Sequence, residues 1–336
     1  MLVADNVKRW VSRMQLVGYD VKLNIVERLG KIYLTSITAL NNYNKHYISI
    51  PDNIVVDTYR SSLFLKFSGS IKLIINGEVE NLSGLFAGNK ELVEAELEVA
   101  KRQKELYISD MFLDCIKLKS VKITKLEADE IPTASQMFNR CSRLEEVDIR
   151  GIDFSNCLDM SYMFQYCSSL KELDVSYMNT SQCQDMTCMF KGCTGLKKLD
   201  ISNFNTKMVK YMSEVFMDMA EVEELNTSRW YLNGARVNGM FSGCRSIKYV
   251  DLGLVDTHRK DKELVKVLMN GIVNGCSELL AIKIGVGNNV QCVFISEGID
   301  KLKYIYCNNI SCKEKIRNKL VDERKIDKII GSLKRE

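Results

Sequence analysis

An α/β solenoid of short stacked repeats is the fold this sequence predicts, and three observations predict it. A motif of the form Met-Phe-x-x-Cys-x-x-Leu-x-x-hydrophobic-x-hydrophobic recurs through the middle of the chain at a spacing of 26 residues. Within each copy the apolar spacing changes from three and four residues to two, so one or two turns of α or 3₁₀ helix should lead into a short strand. No copy is large enough to bury its own apolar residues, so each must cover its neighbours and share one core with them.

The N-terminal elements come first. Val3, Val7, Trp10, Val11, Met14 and Val17 recur at helical spacing, which predicts an amphipathic helix over 2–17 with Lys8, Arg9 and Arg13 on its wet side. Covering the end of the stack is the favoured role for such a helix, with a membrane-surface or partner-binding role as the competing reading. From Tyr19 to Asn76 the chain clusters β formers, in Val21–Ile25, Lys31–Leu34, Tyr47–Ile50, Leu63–Phe67 and Ile71–Ile75. Residues 1–80 are therefore read as a helix plus a strand-rich cap region or a small separate domain.

Residues 81–310 are read as the repeat stack. Copies open at Leu85-Phe86, Met111-Phe112, Met137-Phe138, Met163-Phe164, Met189-Phe190, Val215-Phe216, Met240-Phe241 and Ile272-Val273, with a weak echo at Leu302, Ile305 and Cys307. The first six openings lie 26 residues apart, the next step is 25 and the one after it 32. The residues added in that long step fall around Asp256–Val265, and an insertion of this kind maps to a loop that can contact partners. His258, Arg259 and Lys260 are its candidate contact residues.

Residues 311–336 are read as a basic C-terminal helix. Ile316, Leu320, Ile326, Ile330 and Leu333 group on one face, and Ser311 is a candidate cap. The last 36 residues hold 11 Lys/Arg against 5 Asp/Glu; set against a net charge of +4 for the chain, the other 300 residues carry about −2. Such a tail could touch phosphates, although a capping helix with solvated lysines is favoured.

The copies from Met137 to Phe216 have linkers reading Leu173-Asp-Val-Ser-Tyr-Met-Asn-Thr180 and Leu199-Asp-Ile-Ser-Asn-Phe-Asn-Thr206. With these they resemble BspA-like leucine-rich repeats, the bacterial surface-antigen and Mycoplasma-lipoprotein type. The resemblance spans residues 81 to 284. It implies a curved solenoid with a parallel sheet on the inner face, and adhesion or protein recognition rather than a reaction. Members of that family usually follow a secretion signal. This chain begins Met1-Leu-Val-Ala-Asp5, with no apolar run of signal-peptide length and no membrane-spanning stretch, so a cytoplasmic protein is expected.

Twelve cysteines invite a disulfide reading, but Cys115, Cys141, Cys167, Cys193, Cys244 and Cys276 occupy one repeat column, and Cys157 and Cys183 form another. Identical positions in successive copies suit buried free thiols, which favour a reducing compartment. There is no Cys-x-x-Cys pair and only two histidines, so no metal and no cofactor is expected.

The strongest polar pattern is a ladder. Asp148, Asp174, Asp200, Asn226 and Asp251 each follow the central strand hydrophobic residue, and alternation along a strand should turn them away from the core. Successive copies would stack them about 4.8 Å apart. With Glu146, Glu172, Lys198, Glu224 and Tyr249 they would form a recognition surface for a basic partner. The favoured alternative is structural: these side chains bind backbone or neighbouring Ser/Thr groups. No phosphate loop, nucleophile elbow or zinc motif is found, and carboxylates repeated every copy mark a scaffold rather than an enzyme.

The expected function is therefore non-enzymatic binding of a protein inside the cell, as a bacterial or phage inhibitor or adaptor, for example of a host defence nuclease complex. A surface adhesin exported by another route and an RNA-binding protein using the basic tail are the alternatives.

Overall fold

The computed structural model describes the backbone of residues 19–28, 31–41, 46–50, 54–57, 64–67, 69–75, 81–232, 236–255, 265–286, 290–307, 310–312 and 319–333, with side chains from residue 81 onward except at 100, 101, 253–255, 265–268, 286, 290–292, 294, 295, 311 and 312. The helix expected over 2–17 lies outside these residues, as do Ile316 and the inserted segment with His258, Arg259 and Lys260. The chain divides into two compact units, Met1–Phe154 and Ser155–Glu336.

The first unit holds β1 (Tyr19–Arg28), β2 (Lys31–Asn41), β3 (His46–Ile50), β4 (Ile54–Asp57), β5 (Phe64–Phe67), β6 (Gly69–Ile75), β7 (Leu92–Glu105), β8 (Ser120–Glu130) and β9 (Glu146–Asp148). Seven of these form one sheet in the order β1-β2-β3-β6-β7-β8-β9, and β4 pairs with β5. Pairing is antiparallel from β1 to β6 and parallel from β6 to β9, so the N-terminal strands run directly into the repeat sheet. The parallel part follows from the repeat: each copy makes one circuit and returns one strand further on. Ala95 stands opposite Val121 and Val121 opposite Val147, each 26 residues on. Ala95, Leu97, Val121 and Ile123 point into the core.

The second unit holds β10 (Asn226–Tyr231), β11 (Tyr249–Val255), β12 (Val265–Asn270), β13 (Ala281–Val286), β14 (Val290–Ile295), β15 (Tyr304–Cys307) and β16 (Ile310–Cys312). They form two parallel sheets, β10-β11-β13-β15 and β12-β14-β16. The strands expected at Leu173–Val175 and Leu199–Ile201 do not form; only an isolated bridge joins Lys198 to Glu224. The chain turns locally at both places, where the side chains of Asp174 and Asp200 accept the amides of Ser176 and Ser202.

The Met-Phe segment is not the expected helix. In each copy it is a pair of consecutive turns flanked by two left-handed residues four apart, such as Asp110 and Asp114, Tyr162 and Tyr166, and Glu214 and Asp218. Its amides alternate in destination. Those of Leu85, Ala87 and Asn89 bond three residues back, while those of Gly84, Phe86 and Gly88 cross to the next circuit at Ser109, Met111 and Leu113. Met163, Gln165 and Cys167 against Tyr162, Phe164 and Tyr166 repeat the pattern in the second unit. A helix would keep its interior amides within the segment. Here half of them join neighbouring circuits, which satisfies a buried backbone on both sides.

The repeat columns fill the core. Phe86, Phe112 and Phe138 stack in the first unit with centroids 5.1 and 5.4 Å apart. Phe164, Phe190, Phe216 and Phe241 stack in the second at 5.8, 6.0 and 5.3 Å. The cysteine column lies beside them, and its thiols donate to phenylalanine carbonyls of the preceding circuit: Cys141 to Phe112, Cys193 to Phe164 and Cys244 to Phe216, all near 3 Å.

Among the described residues one helix is present, Glu323–Leu333, later than expected. Ser311 lies in β16 rather than at its start. Asp322 is the cap: its Oδ1 accepts the Lys325 amide at 2.8 Å. The preceding residues are taken by the sheet, since Ile305 donates to Lys319 and Val321 to Ile305 along the edge of β15.

Candidate protein-interaction surface

The sequence ladder divides between the units, with Asp148 in the first and Asp174, Asp200, Asn226 and Asp251 in the second. It is not a file of bare, mutually repelling carboxylates. In the first unit the register is Lys72, Glu96, Lys122 and Asp148, so signs alternate across the strands. In the second, Asn226 stands opposite Asp251, which stands opposite Lys283.

Each of four rungs is also held by a local turn. Asp148 accepts the Arg150 amide and both ends of its guanidinium, at 2.9 Å each. Asp174 accepts the amide and hydroxyl of Ser176, at 3.1 and 2.7 Å, and Asn226 does the same for Ser228 at 3.3 and 2.7 Å. Asp200 accepts the Ser202 amide at 3.0 Å. The Arg150 side chain holds Asp148 below the usual carboxylate range, and the Ser202 amide does so for Asp200. The structural role of these side chains and their outward position are thus compatible: Asp174, Asp200 and Asn226 are exposed while their rotamers are fixed.

The companion column is less uniform than alternation suggests. Glu146, Glu172, Lys198 and Glu224 are exposed, but Tyr249 is 4% exposed, contrary to its expected place on an open surface. The C-terminal helix covers it: Tyr249, Ala281, Ile326 and Ile330 form one buried cluster, with Tyr304, Tyr306 and Leu333 packed around it. The Tyr249 hydroxyl donates to Glu224 Oε1, and burial together with that bond pushes its pKa up. Lys283 anchors the helix through Asp327 at 2.5 Å and Glu323 at 3.9 Å. Burial opposes the Lys283 charge, but these carboxylates outweigh it and raise its pKa.

Both columns therefore continue beyond the residues singled out in the sequence, through Ala281 and Tyr304 in one and Lys283 and Tyr306 in the other. The signal was present, since Lys283 follows Ile282 as Asp251 follows Val250. The surface left open in the second unit comprises Glu172, Asp174, Lys198, Asp200, Glu224 and Asn226.

The cysteines belong to the core instead. Burial pushes Cys115, Cys193 and Cys276 up to about 12, so their thiols stay protonated and unreactive. In the native protein, iodoacetamide at mildly alkaline pH should leave these three unmodified, with alkylation appearing only in denaturant. Peptide mass spectrometry checks this, and rapid native labelling of Cys193 would contradict the burial.

A family model described as "Mycoplasma protein of unknown function, DUF285" matches residues 64–172 and again 133–253. Among solved structures, a leucine-rich repeat protein from Bacteroides ovatus ATCC 8483 aligns with 15% identity and a TM-score of 0.24, over 81% of this chain and 97% of that one. No curated protein matches. The copies are BspA-like repeats, and the chain belongs to the family described as Mycoplasma protein of unknown function, DUF285.

Proposed function

We propose that this protein is a non-enzymatic, protein-binding repeat protein acting inside the cell as an inhibitor or adaptor, with the open surface of the second unit around Asp174, Asp200 and Asn226 as its contact surface. One observation carries the reading. Asp174, Asp200 and Asn226 are exposed yet locked by bonds to Ser176, Ser202 and Ser228, so they present a fixed polar pattern that loses little side-chain freedom when a partner binds. The Met, Phe, Cys and Leu columns point inward, leaving specificity to the outward residues that differ from copy to copy. Nine buried free thiols among the described residues are compatible with a reducing interior, which supports the intracellular placement.

The test is affinity capture of the tagged protein from its own cells, comparing the natural chain with Asp174→Lys/Asp200→Lys. A specific protein recovered by the natural chain and lost by the variant, with circular dichroism unchanged, is the expected result. Equal recovery by both would remove this surface as the contact site, and loss of fold would mean that the carboxylates serve the turns alone.

A further inference from the structure

The C-terminal helix does not lie where an end cap belongs. The edge of β15 is closed before the helix begins: Ile305 donates to Lys319 at 2.7 Å and accepts from Val321 at 2.8 Å, and Leu320 stands in register with Ile305. Beyond Asp322 the chain turns back over the outward face of the same sheet. Val250 and Leu252 of β11, Ile282 and Ile284 of β13 and Ile305 of β15 are buried in the core. Ile326 and Ile330 cluster instead with Tyr249 and Ala281, which precede Val250 and Ile282 and so point the other way.

Three strands shape the ground beneath the helix. Tyr249, Ala281 and Tyr304 stand in register on β11, β13 and β15, so a small side chain lies between two tyrosines and leaves a notch. Ile326 and Ile330, one turn apart on the helix, pack there at 0% and 5% exposure. Beside the notch Lys283 meets Glu323 and Asp327, three residues before and one after Ile326, and Lys325 Nζ lies 5.9 Å from the Tyr304 ring centroid. The hold is slight. Ile326 and Ile330 are the buried residues of the helix, and both carboxylates are more than half exposed. Eleven residues ending in Gly331-Ser-Leu also make a helix that is marginal by itself.

An element attached by two side chains to a face it is not needed to close behaves as a bound ligand, and its contacts state what that face accepts. We propose that the notch is a docking groove for an amphipathic helix of a protein partner, and that the C-terminal helix occupies it until such a partner takes its place. The fitting helix carries apolar residues four apart, with carboxylates three before and one after the first of them. An acidic loop would account for Lys283 but not for the notch between the tyrosines. Tyr249, whose hydroxyl donates to Glu224, joins the groove to the open surface of the second unit. The inference nevertheless stands on the helix contacts and does not rest on that surface.

A fluorescein-labelled peptide of residues 320–336 is the probe, followed by anisotropy against the natural full chain and against full-length Ile326→Asp/Ile330→Asp, whose own helix is undocked. The variant should bind the peptide at least about tenfold more tightly than the natural chain, because its groove is no longer filled by its own helix. Adding Ala281→Trp to the variant should abolish binding, and a peptide carrying Glu323→Lys and Asp327→Lys should bind at least about tenfold more weakly. Hydrogen exchange on the natural chain does not depend on how the variants fold: amides of residues 326–333 should exchange about 100-fold faster than those of β11 and β13. Equal affinity for both chains, no binding by a folded variant, or helix amides that exchange only together with the sheet would overturn the proposal. So would a natural chain that dimerises with concentration and is dissociated by the peptide, which would assign the groove to a second copy.

Discussion

Replacing Phe190 with Ala should lower the stability of the second unit by about 3–5 kcal/mol, the range for emptying a large aromatic site in a packed core. Phe190 lies between Phe164 and Phe216, 5.8 and 6.0 Å away, and also contacts Phe204 at 6.4 Å. Collapse around the hole is restricted, because amide bonds from Phe164 to Met189 and from Phe190 to Val215, both 2.9 Å, fix the separation of the circuits. Urea unfolding followed by circular dichroism measures the loss. A change under about 1 kcal/mol would mean that the column yields far more readily than a core should.

Gly151→Ala in the first unit is expected to cost on the order of 3 kcal/mol or more, for a different reason. Gly151 sits where two circuits touch backbone to backbone: its amide reaches the Ile123 carbonyl at 3.2 Å and its carbonyl accepts from Leu126 at 2.8 Å. An added Cβ would lie 2.4 Å from the Ile123 oxygen, 2.6 Å from the Thr124 carbonyl carbon and 2.8 Å from the Lys125 nitrogen. All three are main-chain atoms, so no rotamer change relieves the clash. A fall in urea midpoint checks this, and an alanine variant as stable as the natural chain would show that β8 can shift at Thr124.

The repeat columns were legible because a core position recurs with the same residue type, and Met, Phe, Cys and Leu fall inside as their spacing requires. The Met-Phe segment was not, because apolar residues three and four apart suit a double turn as well as a helix. Its left-handed positions give little warning either. They carry Asp110, Tyr162 and Glu214 as readily as glycine, although a non-glycine residue there costs about 1–2 kcal/mol. Tyr249 shows a third limit. Alternation turns it off the sheet correctly, but its burial depends on Ile326 and Ile330 arriving from far along the chain. Strand period describes direction; what covers a residue is set by tertiary packing.

The alternating amides of the Met-Phe turns give the chain a parity. Inserting or deleting one residue there would exchange inward-turning donors for crossing ones along the whole segment, and both neighbouring circuits would lose their bonds. The two irregular steps in the repeat respect this. Lys198 and Glu224 pair 26 residues apart but Tyr211 and Arg236 only 25, which places the shortening in the corner between them. Tyr249 and Ala281 pair 32 apart, and Gly239 still donates to Asn270 in the usual crossing pattern, so the lengthening also lies outside the turns. Such a chain can vary by whole circuits or at its corners, while the length of each turn segment is held as strictly as a reading frame.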